Sequence, residues 1–239
     1  MAMTGRLVVI TGTSGSGKTT TCREFIAQAD DLWLHFGADI FLGTMTPAKF
    51  VDGGSRCTEG LYMRPDDSAA PDGPAHLALG RHGPTMIRTL NEMASAAVRM
   101  GQNVVMDHIT TARPPILQQC VAQLHELPTL FVALKPSTDL LRKRIDDRLP
   151  EVINILGDEQ GRKVNAATKS WSESMANEIF CHDEFDLVLD TGALSPPEVA
   201  KAIMARLSKG PGTALASLAR KLDRRWVPTA DTHSMTTSG

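Results

Sequence analysis

Residues 7–20 read LVVITGTSGSGKTT, and the two halves of this stretch obey different rules. Leu7-Val8-Val9-Ile10-Thr11 is β-branched and nearly continuous in its apolar character, bounded by Gly5 and Gly12. A strand buried on both faces reads this way, whereas a strand with one wet face alternates. From Gly12 onward the residues turn small and polar: Thr13, Ser14, Gly15, Ser16, Gly17, then Lys18, Thr19 and Thr20. Glycines at this density let successive backbone N–H groups turn inward as an anion nest. The helix predicted over 18–28 adds positive potential from its N-terminus. Gly12, Gly17, Lys18 and Thr19 stand at the spacing of a P-loop, with Lys18 in reach of the β- and γ-phosphates and the Thr19 hydroxyl available to Mg²⁺. The stretch therefore predicts a site for ATP and Mg²⁺ in which residues 12–20 hold the nucleotide. A dinucleotide fingerprint is excluded, because no third glycine follows Gly15 and Gly17 at the required distance.

Working outward, four more apolar runs read as strands: 32–37, 103–107, 129–135 and 185–191. Helical spacing appears over 85–100, with Gly101 at its end, and helices are also expected over 114–126, 137–148, 171–180 and 196–207. Strands alternating with helices predict a three-layer α/β/α fold around a mostly parallel five-stranded sheet of the P-loop kinase type. One domain is expected over 1–208. Within it, 52–84 is rich in Gly, Pro and Asp and reads as a substrate-facing excursion, and 149–170 reads as an irregular or weakly helical lid region. Residues 209–239 read as a flexible tail, partly helical near 213–224, with a basic patch at 220–226.

Composition narrows the partners. With 25 basic and 27 acidic side chains and a formal net charge of −2, the chain has no global field to gather nucleic acid or an anionic membrane. The four cysteines, Cys22, Cys57, Cys120 and Cys181, are far apart, and neither a disulfide framework nor a zinc site is suggested by their spacing. The first apolar run is too short for a signal segment or membrane span and leads straight into the glycine loop, so a cytoplasmic protein is expected.

A P-loop says only that a nucleoside triphosphate binds. Motor-type ATPases place Asp-Glu at the end of the strand that here ends in Asp107-His108, and no NKxD-type guanine reader is present. A small kinase needs neither. It needs a carboxylate to accept the proton of the attacking alcohol, and Asp39, just past the tip of the second strand, is the best placed acid for that role. The alternative for Asp39 is a helix cap. Asp107 is assigned to the Mg²⁺ side together with Thr19, with capping or packing as its alternative. Arg144 and Arg148, ranked above Arg142 in the basic 137–148 helix, are candidates to close over the phosphates; a solvated charged face is the competing reading. The histidines show no metal-ligand spacing, and His82 and His108 are the two singled out for their neighbours Arg81 and Asp107.

The stretches GTSGSGKTT, WLHFGADIF, NVVMDH, TLFVALK and FDLVLDT together resemble the chloramphenicol phosphotransferase-like proteins over roughly residues 6–207. The resemblance implies a P-loop kinase fold and ATP-dependent phosphorylation of a hydroxyl on a small molecule, with Asp39 as the proposed base. Asp107-His108 departs from the pair of acids the family often carries, and the segments 52–84 and 149–170 are longer than expected. Two other readings stand beside it: a metabolic kinase for a sugar or nucleoside, and a nucleotide-binding regulatory or toxin-like protein.

Overall fold

The computed structural model describes residues 4–65 and 75–223. Its centre is β1 (Leu7–Thr11), buried along its whole length. On one side β1 pairs with β5 (Asn103–His108) and on the other with β6 (Thr129–Leu134). β2 (Trp33–Gly37) adds outside β5, and β7 (Leu187–Leu189) outside β6. All pairings in this five-stranded sheet are parallel, in the order β2-β5-β1-β6-β7.

Period-two alternation divides the core in two. Val8 and Ile10 face a layer built by α1 (Lys18–Gln28) and α8 (Pro196–Leu207), where Phe25 and Ile203 are buried. Leu7 and Val9 face α3 (Gly83–Arg99), α4 (Ile116–Leu124) and the long α7 (Asp158–Ile179), in a core that includes Ile87, Leu90 and Met175. Burying a side chain such as Phe25 contributes about 1.5–3 kcal/mol, and Phe25→Ala would cost about 3–5 kcal/mol through the cavity it leaves. The three-layer α/β/α arrangement expected from the sequence is the one observed.

Three stretches differ from expectation. Residues 149–170, expected to be irregular or weakly helical, are helical throughout apart from the break at Gly157: α6 (Leu149–Leu156) ends there, at a positive φ of 84°, and α7 follows. The buried face of α7 is made of Gly161, Asn165, Ser172, Met175 and Ile179, too polar and small for its period to stand out in sequence. Residues 52–84 hold a hairpin, β3 (Leu61–Pro65) against β4 (Ala75–Leu79), that seats Leu61 and Leu77 in the core. The helix expected near 213–224 is present as α9 (Ala214–Asp223), but instead of belonging to a flexible tail it packs Leu215 and Leu218 into the core beside α4. The Asp186 carboxylate accepts from the backbone N–H groups of Thr213 and Ala214, fixing the start of that helix. Residues 224–239, with Arg224 and Arg225 of the basic patch, lie outside the described residues.

Candidate active site

The loop between β1 and α1 depends on its glycines. Gly15 and Gly17 adopt φ of 78° and 94°, a region other residues enter only with strain. A Cβ on Gly12 would sit 2.6 Å from Ser16 Oγ and 2.7 Å from the Leu134 carbonyl oxygen. The turn is closed by Ser16, whose hydroxyl donates to the Thr13 carbonyl at 2.9 Å. Lys18 folds back over it and donates from Nζ to the carbonyls of Gly12 and Thr13, both at 2.9 Å. Burial holds the Lys18 ammonium below its ordinary pKa, and the carboxylates of Asp39 and Asp107 oppose that shift. Thr20 is exposed beside the loop.

Asp107 stands at the C-terminal end of β5, 1% exposed. Its Oδ2 lies 3.0 Å from His35 Nε2 on the neighbouring β2. Burial alone would raise its pKa; the His35 hydrogen bond, the Thr19 hydroxyl and the Lys18 charge outweigh burial and leave it lowered, hence ionised. Gly37, its register partner on β2, makes the space, since a Cβ there would sit 2.4 Å from Asp107 Oδ1. A hydroxyl and an ionised carboxylate side by side at the start of α1 are the hard oxygen donors that Mg²⁺ prefers, so Thr19 and Asp107 fit that ion.

Asp39 occupies the first turn of α2 (Ala38–Ile40), a short helical turn that continues as a π-turn over Phe41–Met45. It is exposed, and among the described residues its carboxylate makes no hydrogen bond or ion pair. Its charge still acts on Lys18. An acid left free to meet a ligand and a second one buried and oriented thus share one sheet edge.

The arginines separate on inspection. Arg144, on α5 (Thr138–Asp147), donates to the Gly15 carbonyl at 3.2 Å, to Thr191 Oγ1 at 2.9 Å and to the Thr191 carbonyl at 2.7 Å. The Thr191 hydroxyl in turn donates to the Ser16 carbonyl at 3.0 Å. Arg144 therefore ties α5 and the segment after β7 to the phosphate loop. Arg148 is exposed at the end of α5, and with Arg144, Gly17, Thr20, Thr191 and Pro196 it lines a cavity of about 300 Å³ next to the loop. Arg142 faces away, paired with Glu173 at 2.7 Å.

The two singled-out histidines lie elsewhere. His108 is buried; its Nε2 is 3.0 Å from Asn91 Oδ1, and its Nδ1 accepts from the Ile109 backbone N–H at 2.8 Å. Burial drives its pKa down to about 4, so it is a neutral core side chain. His82 stands 3.7 Å from Glu59 in an exposed ion cluster with Arg56 and Arg81. His35 and Thr191 are site residues that the sequence reading missed. Their signal was position: His35 shares a β2 face with Gly37, and Thr191 follows β7 at the same sheet edge as Asp107.

Among solved structures of the same fold are a candidate kinase from Chloroflexus aurantiacus, 15% identical with a TM-score of 0.51 over 86% of this chain and 100% of that one, and the Deinococcus radiodurans tunicamycin resistance protein. The latter is 16% identical with a TM-score of 0.50 over 85% of this chain and 95% of its own. No curated protein matches by sequence. The profile described as chloramphenicol phosphotransferase-like protein matches residues 5–208, spanning the phosphate loop, both carboxylates and the arginines of α5. The chain belongs to the chloramphenicol phosphotransferase-like family, on a P-loop kinase fold.

Proposed function

We propose that the protein transfers the γ-phosphoryl group of ATP to a hydroxyl of a small organic acceptor. The observation that carries this reading is the pairing of a phosphate loop with two carboxylates of opposite character, Asp107 buried and hydrogen-bonded, Asp39 exposed and unengaged. Backbone N–H groups of residues 12–20 and Lys18 hold the phosphates, and the cavity beside Arg144 and Arg148 receives the nucleoside. Thr19 and Asp107 would hold Mg²⁺, which when bound neutralises charge on the β- and γ-phosphates. The acceptor oxygen attacks the γ-phosphorus, the bond to the β,γ-bridging oxygen breaks, ADP leaves, and the acceptor proton passes to the Asp39 carboxylate. Lys18 and Arg148 face the charge that spreads over the transferring oxygens, and a positioned base contributes about 10²–10⁴-fold.

For the acceptor, family membership favours a hydroxyl-bearing antibiotic such as chloramphenicol. The test is mass spectrometry of reactions with Mg·ATP and a panel of chloramphenicol, other hydroxyl-bearing antibiotics, nucleosides and sugars. One acceptor gaining a single phosphoryl group is the expected result. Tight ATP binding with every acceptor unmodified would overturn the phosphotransferase reading in favour of a nucleotide-binding regulator.

A further inference from the structure

The spacing of the cysteines suggests no metal site, yet the fold brings one of them to the back of Asp107. Cys22 lies one turn along α1 from Lys18 and is fully buried against the sheet. His35 comes from β2 and Asp107 from β5. One ligand atom from each, Sγ, an imidazole nitrogen and a carboxylate oxygen, lies within 4.8 Å of the others, and the closest pair, His35 Nε2 and Asp107 Oδ2, is 3.0 Å apart.

We propose that Cys22, His35 and Asp107 form a binding site for a thiophilic divalent cation of the Zn²⁺ type, distinct in chemistry from the oxygen-only Mg²⁺ position at Thr19 and Asp107. A thiolate, an imidazole and a carboxylate make a mixed S/N/O set that suits zinc or cobalt and repels none of their preferences, whereas Mg²⁺ disfavours the sulfur and nitrogen donors. Tetrahedral zinc, with bonds of about 2.0–2.3 Å, separates its ligand atoms by roughly 3.5 Å. Toward that value the 3.0 Å pair of His35 and Asp107 opens slightly, and the separations to Cys22, none above 4.8 Å, need close by little if at all beyond roughly 1 Å. The three ligands stand on a helix and two paired strands, which limits the reorganisation needed. A water completes four-coordination. On binding, the Cys22 thiol forms the sulfur–metal bond and its proton leaves to solvent. β2 is the outer strand of the sheet, and the His35 side chain, 13% exposed, is the accessible member of the trio.

Occupation would engage the Asp107 oxygen that already faces His35 and so draw the carboxylate away from Thr19. The inhibition that follows rests on the phosphotransferase reading; the binding itself does not. The test uses the full chain with Cys57→Ser and Cys181→Ser, which removes the two thiols that are not buried. Co²⁺ titration is expected to give a thiolate-to-cobalt charge-transfer band saturating at one ion per chain, displaced by Zn²⁺. Adding Cys22→Ser should abolish the band, and His35→Gln should weaken Co²⁺ affinity at least about tenfold. A band that survives Cys22→Ser in a folded chain, an affinity unchanged in His35→Gln, or no band in the parent at saturating Co²⁺ overturns the proposal. If Cys22→Ser does not fold, the parent titration and His35→Gln decide. Because the readout is optical, it stands whether or not phosphoryl transfer is found.

Discussion

Asp39 and Asp107 lie at the same edge of the sheet, one just past the end of β2 and the other at the end of β5, and they could hardly be held more differently. Asp107 is buried, hydrogen-bonded to His35, seated in the space left by Gly37, and ionised against the cost of burial. Asp39 is exposed on a one-turn helix and, among the described residues, engages nothing. Under the proposed phosphotransfer these environments suit different roles. A carboxylate that must hold a cation in one geometry needs a fixed orientation, whereas one that must take a proton from an incoming alcohol needs an unoccupied face.

The contrast can be broken at several points. Asp107→Asn has the largest expected effect: it keeps the shape and removes the charge, so phosphoryl transfer should fall by about 10²–10³-fold and Mg·ATP affinity with it. Calorimetric titration of Mg·ATP beside turnover measures both, and unchanged nucleotide affinity would detach Asp107 from the metal.

Next in size is the pH response of the residue beside it. His108 is held at a pKa of about 4, against an ordinary 6.5. Above pH 6.5 it is neutral in both folded and unfolded chains. As pH falls from 6.5 toward 4 the unfolded chain takes up the proton and the folded one does not, so stability declines, by roughly 3 kcal/mol at about 1.4 kcal/mol per tenfold in proton affinity. Urea unfolding at pH 7 and pH 5 should show this slope in the wild type and a shallower one in His108→Gln. Equal slopes would mean that His108 does not carry the effect.

Smaller again is Gly37→Ala. The backbone there is extended, with φ −152°, so the methyl group meets no conformational penalty, only the Asp107 carboxylate. A destabilisation of about 1–3 kcal/mol is expected, accompanied by weaker Mg·ATP binding. Thermal melting with and without Mg·ATP separates the two, and a variant indistinguishable from wild type in both would show that Asp107 is not held as tightly as its packing implies.

How much of this was legible in the sequence follows the same division. The phosphate loop could be read because its chemistry lies in contiguous backbone geometry, and backbone geometry of that kind requires glycine at Gly12, Gly15 and Gly17. Asp39 and Asp107 could be found because strand ends in a parallel sheet converge on one edge. His35, Cys22 and Thr191 could not, since their meaning depends on which strands pair and in what register: Gly37 opposite Asp107 is a fact of β2–β5 pairing, not of either segment. Over 149–170 the helices were harder to read: α6 carries apolar residues at helical spacing but is only eight residues long and buries none of them, and the first half of α7 buries only Gly161 and Asn165. The helix expected near 213–224 is present as α9, but its docking was not legible, because two leucines and an alanine in a polar, Gly-containing stretch are enough to seat it.

The most direct test of the account is the rate of acceptor phosphorylation by Asp39→Asn at saturating Mg·ATP, using an acceptor that the wild type modifies. The predicted result is a fall of about 10²–10⁴-fold, with Mg·ATP affinity changed much less, because Asp39 makes no hydrogen bond to the phosphate loop among the described residues and reaches Lys18 only through its charge. Transfer at the wild-type rate would contradict the account, leaving Asp39 a surface carboxylate and the base still to be found.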